Sequence, residues 1–142
     1  MSRSVDFDFT FRRSVGVVEV IRILLESGMR ASNDDDVSYL IDEEGMFDWK
    51  KSASSGLDEI ISAIGDKRLV DHTVGITLYF PDSISGGDFL FHPGREVVSC
   101  VIGVNPRRLE GSIFCDIGWY ATKMIPWLEP LGLLEVETRD TA

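Results

Sequence analysis

The chain has 142 residues, of which 44% are hydrophobic and 27% are charged. This length and composition predict one globular domain covering residues 1–142 and exclude disordered and collagen-like chains. Asp and Glu number 24 against 14 Lys and Arg, which gives a formal net charge of −10. Because nucleic acids and anionic membranes attract basic surfaces, this charge argues against both as partners and allows a basic protein partner.

No stretch of the sequence is typical of a signal peptide or of a membrane span. The longest apolar run, residues 97–104, is interrupted by Ser99 and Gly103. Two cysteines, Cys100 and Cys115, are too few for a disulfide scaffold, so we expect free thiols in a reducing compartment. The sequence therefore predicts a cytoplasmic protein.

The first segment alternates between apolar and polar residues from Val5 to Phe11, which is typical of a half-buried strand. Apolar residues then recur at helical spacing over residues 17–25. Ser14 is the predicted N-cap of this helix, and Gly28 is its predicted end.

Residues 37–41 and 46–49 are short apolar runs on either side of the polar stretch 42–45, and this pattern predicts a hairpin. The sequence of residues 55–58 has the form of a capping box and is followed by an apolar stripe. A second helix is therefore predicted at about positions 56–65.

The pattern in the middle of the chain predicts a β-sheet. Residues 73–80 alternate, and a turn region at 81–87 precedes a strand that begins at 89–91. The Pro-Gly pair within 92–95 indicates a tight turn. The strand at 97–104 is apolar on both sides, as expected of a central strand covered on both faces.

The last third predicts a helix over residues 117–128, capped by Asp116 and kinked or shortened by Pro126. A final strand is predicted at 133–138. The order is strand, helix, hairpin, helix, three strands, helix, strand. It indicates an α+β fold, in which about three helices pack on an antiparallel-rich mixed sheet.

Negative charge is concentrated in one short segment. Residues 34–48 contain seven acidic residues and no Lys or Arg, so they carry −7 of the net −10 and leave −3 for the rest. Self-repulsion makes such crowding costly, and docking to a basic partner is one use for it. A solvated hairpin and loop is the alternative. The predicted partner-binding acids are Asp34, Asp35, Asp36, Asp42, Glu43, Glu44 and Asp48.

A metal or cofactor site is not predicted. Asp34, Asp35 and Asp36 resemble the start of a calcium loop, but Tyr39 stands where that loop needs Gly. Residues 85–87 are rich in Gly, but a strand follows them and no Lys is present, so they predict a turn and not a phosphate loop.

The sequence contains no motif that is typical of a catalytic site. His72 and His92 lack the spacing of a zinc helix. A His–Ser–Asp or His–Cys group can still assemble in space from distant residues. A small enzyme that uses His72, His92 and nearby acids is therefore the alternative to a binding protein.

Aromatic residues mark one side of the last predicted helix. Trp119 and Trp127 fall on the same side as Asp116, Tyr120 and Lys123, beside an aliphatic stripe. Because Trp is a frequent interface anchor, Trp119 and Trp127 are further predicted partner-binding residues. Internal packing of these rings is one alternative, and self-association of an adaptor domain is another.

The chain resembles small acidic immunity proteins of bacterial toxin–immunity systems. The resemblance lies in the overall plan and in three short segments, at residues 74–76, 85–90 and 116–120. It implies a cytoplasmic protein that binds and blocks a cognate toxin without catalysis, and it transfers no functional residue.

Overall fold

The structure is a computed structural model that describes residues 3–142. This part of the chain contains seven strands and three α-helices, in the order predicted from the sequence. The strands are β1 Ser4–Phe11, β2 Asp36–Asp42, β3 Lys50–Ala53, β4 Thr73–Tyr79, β5 Gly86–Phe91, β6 Val97–Val104 and β7 Leu133–Thr141. The helices are α1 Val17–Glu26, α2 Leu57–Ile64 and α3 Ile117–Leu128.

All seven strands form one sheet in the order β3-β2-β4-β5-β6-β1-β7. The six pairings between them are antiparallel, and the described residues contain no parallel pair. The predicted single α+β domain is confirmed. Because β1 pairs with both β6 and β7, it lies inside the sheet, and β7 forms one edge.

The two faces of the sheet differ because side chains alternate along each strand. Phe7 and Phe9 of β1 are fully buried, whereas Asp6 and Asp8 point to the other face. The buried residues of the three helices belong to the same core cluster as Phe7 and Phe9, so the helices lie side by side on one face. No helix in residues 3–142 covers the other face, which we call the open face.

Two helix caps differ from the sequence prediction. Gly16, and not Ser14, precedes α1, while the Ser14 hydroxyl donates to the carbonyl oxygen of Gly94. A short 3-10 turn at Ser54–Gly56 leads directly into α2, so Ser55 does not cap it. The bounds and the cap predicted for α3 are confirmed, because Asp116 accepts from the Trp119 amide; the helix continues past Pro126 to Leu128, so Pro126 does not shorten it.

Two strand predictions are corrected. The second strand of the predicted hairpin is β3 at Lys50–Ala53, because Gly45 and Phe47 have φ of 77° and 48° and break any extended run at 46–49. β6 is central as predicted, but only one of its faces is covered by helices. On the open face, Ser99 is buried by the side chains around it.

None of the helices in residues 3–142 is long and apolar enough to span a membrane.

Candidate functional site

The acidic segment is divided into two groups by strand β2. Asp34 and Asp35 precede the strand and Asp36 begins it, whereas Asp42 ends it. Since a strand rises about 3.3 Å per residue, the two groups lie about 20 Å apart. The seven predicted partner-binding acids therefore do not form one continuous surface.

The second group lies in the connection between β2 and β3, residues 42–48, which we call the acidic loop. Its backbone turns sharply at Gly45 and Phe47, and the Phe47 amide donates to the Asp42 carboxylate at 3.2 Å. This arrangement leaves the side chains of Met46 and Phe47 76% and 48% exposed. The loop thus presents two apolar side chains beside its acids.

Four carboxylates surround these apolar side chains. They belong to Asp42, Glu43, Glu44 and Asp48, which line a hollow of about 310 Å³ together with Lys50. Within the described residues, none of the four has a Lys, Arg or His nitrogen within 4.0 Å. Their negative charge is therefore available to cations of another molecule.

In residues 3–142, no group of three or more His, Cys, Asp or Glu side chains has the geometry of a metal site.

The first acidic group is exposed at the opposite end of β2. Asp35 has a φ of 66°, and its carbonyl oxygen accepts from the Ser54 amide at 2.7 Å. Asp34, Asp35 and Asp36 are all exposed, but the structure places no exposed large apolar residue between them. This group has the charge of the acidic loop without its apolar side chains.

Trp119 is half-buried and is contacted by residues of the same chain. Its ring meets Phe80 and Tyr120 edge-on, with centroids 5.7 and 4.9 Å away. The guanidinium carbon of Arg107 and the Nζ of Lys123 lie 5.0 and 4.7 Å from the centre of the ring. These contacts reduce the area of Trp119 that is available to a partner.

Trp127 is also half-buried and packs against the hydrophobic core. The core stripe of α3 is formed by Tyr120, Met124 and Leu128. Tyr120 therefore belongs with the aliphatic side of the helix and not, as the sequence predicted, with the side of the two tryptophans. The partner-binding roles of Trp119 and Trp127 stay predictions.

A second polar cluster occupies the centre of the open face. The Ser99 hydroxyl lies 2.5 Å from Asp8 Oδ1 and 2.7 Å from Nε2 of His92. Antiparallel pairing of β1 with β6 places Asp8 opposite Ser99, and His92 follows β5 on the same face. The structure thus brings together a Ser, a His and an Asp that are far apart in the sequence.

The order of this cluster differs from that of a catalytic triad, because Ser99 lies between the other two groups. A serine hydroxyl has one proton, which Ser99 donates to the Asp8 carboxylate, so that Nε2 of His92 is the donor to Ser99. His92 is then not a base towards the hydroxyl, as nucleophilic catalysis requires. Burial lowers the pKa of His92; Asp8 opposes this shift and Arg95 adds to it, so the neutral form of the ring is favoured.

Other titratable groups do not complete a catalytic site here. The carbonyl oxygens of His72 and His92 both accept from Nη1 of Arg95, but within the described residues no hydrogen bond joins their rings, and His72 lines a hollow with Glu43 and Arg68. Burial raises the pKa of the Cys100 thiol well above its usual range. Burial, together with Asp140 and Asp116, raises the pKa of Cys115 to about 11. Both thiols are therefore protonated at neutral pH and are poor nucleophiles.

Comparison with known protein families, with curated proteins and with solved structures found no match to this chain.

Sequence reasoning missed Met46 and Phe47 as exposed residues, because it placed them in a strand. The available signal was a Gly that lies between acids and is followed by apolar residues. Such a Gly marks a turn, and a turn exposes the apolar side chains beside it. The cluster of Asp8, His92 and Ser99 had no local signal, because it depends on strand pairing.

Proposed function

We propose that the protein is a non-catalytic binding protein, an immunity-type inhibitor that blocks a cognate bacterial toxin. Its binding surface is the acidic loop, residues 42–48, and its partner presents a basic surface with an apolar pocket. Asp34, Asp35 and Asp36 lie about 20 Å away along β2 and take no direct part in this contact.

The proposal is carried by the combination of charge and apolar surface in the acidic loop. Four carboxylates without an ion pair among the described residues flank the exposed side chains of Met46 and Phe47. Large apolar side chains at the centre of an interface supply most of its binding energy, and complementary charges at its rim accelerate and orient association.

The chemistry of the loop fits a partner that binds phosphate. Carboxylates and phosphates both present anionic oxygens to Arg and Lys, and they accept the same charge-assisted hydrogen bonds. We expect the toxin domain to be a nuclease or a similar enzyme with a basic active site. Glu43 and Glu44 would then occupy the positions of substrate phosphates and exclude the substrate.

A hydrolytic enzyme built on Ser99 is the second candidate, favoured by the proximity of Asp8, Ser99 and His92. The order of its hydrogen bonds counts against it, because Ser99 donates its proton to Asp8 and His92 donates to Ser99, so His92 does not act as the base for the hydroxyl. Ser99 is also only 6% exposed, which limits access of a substrate to its hydroxyl.

The proposal includes a cytoplasmic location. Cys100 and Cys115 are both free and buried, which fits a compartment that keeps thiols reduced. An immunity protein acts in the cell that makes the toxin, so this location also fits the proposed role.

The decisive experiment uses two charge-reversed variants with the same net charge. One carries Glu43→Lys and Glu44→Lys in the acidic loop, and the other carries Asp34→Lys and Asp36→Lys at the opposite end of β2. The partner is the product of a neighbouring reading frame that is toxic on expression. Growth rescue by co-expression and the Kd from calorimetry are measured for the wild type and both variants.

We expect the loop variant to lose rescue and to bind at least tenfold more weakly, while the Asp34 and Asp36 variant stays within threefold of the wild type. Equal loss in both variants would indicate a general effect of net charge and would contradict the proposed surface. Unchanged rescue by both would also contradict it.

A further inference from the structure

A groove lies at the beginning of α1, beside the residues that follow α2. We call it the α1 groove. Its volume is about 670 Å³, and its wall includes Val17, Val18, Val70, Arg22, Lys67 and Arg95. Pockets that bind small molecules usually have volumes of about 300–1,000 Å³ and mainly apolar walls.

Valine side chains give the α1 groove its apolar character. Val17 and Val18 belong to the first turn of α1, and Val70 follows the short 3-10 turn at Lys67–Leu69. Val70 is 40% exposed, because no loop or helix of the described chain covers it. An apolar body placed in the groove would remove this surface from water, which favours binding.

The charge of the groove is opposite to that of the whole protein. Its wall contains three cations, Arg22, Lys67 and Arg95, and two carboxylates, Glu19 and Asp66. Asp66 is already neutralised by Arg68, whose Nη2 lies 2.7 Å from its carboxylate.

The two accessible cations of the groove have no internal partner. Within residues 3–142, neither Arg22 nor Lys67 has a carboxylate oxygen within 4.0 Å. The wall therefore has an excess of positive charge on a protein whose net charge is −10.

Arg95 is the fixed cation of this wall. It is 5% exposed, and its guanidinium donates only to neutral carbonyl oxygens, those of His72, Phe91, His92 and Leu69. These bonds hold the group in place, and the Asp71 carboxylate offsets part of its charge. Its own carbonyl oxygen accepts from the Val15 amide, which ties it to the rim of the groove.

We propose that the α1 groove binds a small amphipathic anion, a molecule with an apolar body and one carboxylate or similar anionic head. The body lies against Val17, Val18 and Val70, and the head lies beside Arg22 and Lys67. This site does not depend on the proposed function, because it uses none of the residues of the acidic loop.

The test measures binding of octanoate and of octan-1-ol, which share the apolar body but differ in charge. Backbone amide chemical shifts of the full chain are followed by NMR during each titration. We expect saturable binding of octanoate with the largest shifts at Val17, Val18 and Val70, and at least fivefold weaker binding of the alcohol.

Three variants locate the binding site. The charge reversals Lys67→Glu and Arg22→Glu are each expected to weaken octanoate at least fivefold, and Val70→Trp is expected to abolish binding by filling the groove. Lys51→Glu makes the same change in net charge on β3, outside the groove, and is expected to leave the affinity within twofold. Arg95 is not replaced, because its loss removes four hydrogen bonds to backbone carbonyl oxygens.

Each outcome decides for or against the site. Absence of saturable shifts, equal affinity for the alcohol, or equal weakening by Lys51→Glu and Lys67→Glu would overturn the proposal. The thermal unfolding midpoint of every variant is measured, and if Val70→Trp does not fold, the two charge reversals and the alcohol decide alone.

Discussion

The Tyr120 hydroxyl oxygen accepts a hydrogen bond from the backbone amide of Arg107 at 2.7 Å. Tyr120 is fully buried in α3, and its hydroxyl is also 2.6 Å from the Ser85 hydroxyl. One phenol group therefore connects α3, the long segment after β6 and the turn before β5. The buried hydroxyl of Ser85 has no other side-chain partner in the described chain.

Replacing Tyr120 with Phe is expected to destabilise the protein by about 1–3 kcal/mol, the usual cost of leaving buried polar groups without a partner. The change keeps the ring and its contact with Phe80, so the decrease in the free energy of unfolding measures the contribution of the hydroxyl alone. Urea unfolding followed by fluorescence gives the free energy of unfolding.

The matched control is Tyr79→Phe, at the half-buried end of β4. The described residues contain no hydrogen bond to the Tyr79 hydroxyl, so its removal is expected to change stability by less than about 0.5 kcal/mol. Equal effects of the two substitutions would show that the bonds of Tyr120 contribute nothing specific.

Local patterns in the sequence predicted most of the fold. The alternation at 5–11 and the periodicity at 117–128 depend on neighbouring residues, and both elements are observed at these positions. The strand predicted at 46–49 was wrong because the backbone turns at Phe47, whose φ is 48° and whose amide donates to the Asp42 side chain. Hydrophobic periodicity contains no information about such a bond.

The candidate sites were predicted less completely, because they depend on the course of the chain. Asp34 and Asp48 belong to one acidic segment in the sequence, yet β2 separates the two groups. Asp8 and Ser99 are 91 positions apart, yet they form a hydrogen bond because β1 pairs with β6. The first relationship follows from the length of β2, whereas the second depends on which strands pair, and local patterns in one sequence do not reveal that pairing.

The stability of the protein is expected to depend on His92 between pH 5.5 and 7.5. Burial lowers its pKa in the folded state below the ordinary value of 6.5. Below about pH 6.5 the unfolded chain binds more protons at this position than the folded chain does. The free energy of unfolding therefore decreases as the pH is lowered, until the pH is below the pKa of the folded state. Well above pH 6.5 neither the folded nor the unfolded chain is protonated at His92, so its contribution to stability no longer changes with pH.

Urea unfolding of the wild type and of His92→Gln at pH 5.5, 6.5 and 7.5 tests this relationship. The wild type is expected to lose more stability than the variant between pH 7.5 and 5.5. Parallel pH profiles would rule out His92 as the source of the dependence.

The two cysteines are expected to resist modification in the folded protein. Cys100 and Cys115 are buried, and burial raises the pKa of both thiols, so little reactive thiolate is present at pH 7.5. A maleimide reagent and mass spectrometry measure the rate of labelling with and without urea.

Labelling is expected to be complete within minutes in urea and at least a hundredfold slower without it. Cys115 should react before Cys100, because it lies in the segment between β6 and α3, whereas Cys100 lies in a central strand. Rapid labelling of Cys100 in the native protein would contradict the structure.

Phe47→Asn is expected to separate binding from stability. The Phe47 side chain is 48% exposed and its φ is 48°, a conformation that Asn tolerates better than Phe. We therefore expect the free energy of unfolding to change by less than about 0.5 kcal/mol. If the acidic loop is the binding surface, the Kd for the toxin domain rises about tenfold, as expected on removal of an aromatic anchor. A loss of stability without a loss of affinity would assign Phe47 a structural role instead.

Gly87→Ala is expected to destabilise the sheet where β5 meets β6. Gly87 is buried, and a Cβ atom at this position would lie 2.7 Å from the Cys100 sulfur and 3.1 Å from the Val101 carbonyl oxygen. The backbone oxygen cannot move without disturbing the pairing of the two strands, so we expect a loss of about 1–3 kcal/mol in urea unfolding. Gly103→Ala in β6 is the matched control, because a Cβ there meets nothing within 4 Å. A control variant as unstable as Gly87→Ala would mean that the loss comes from the strand backbone in general and not from crowding at Cys100.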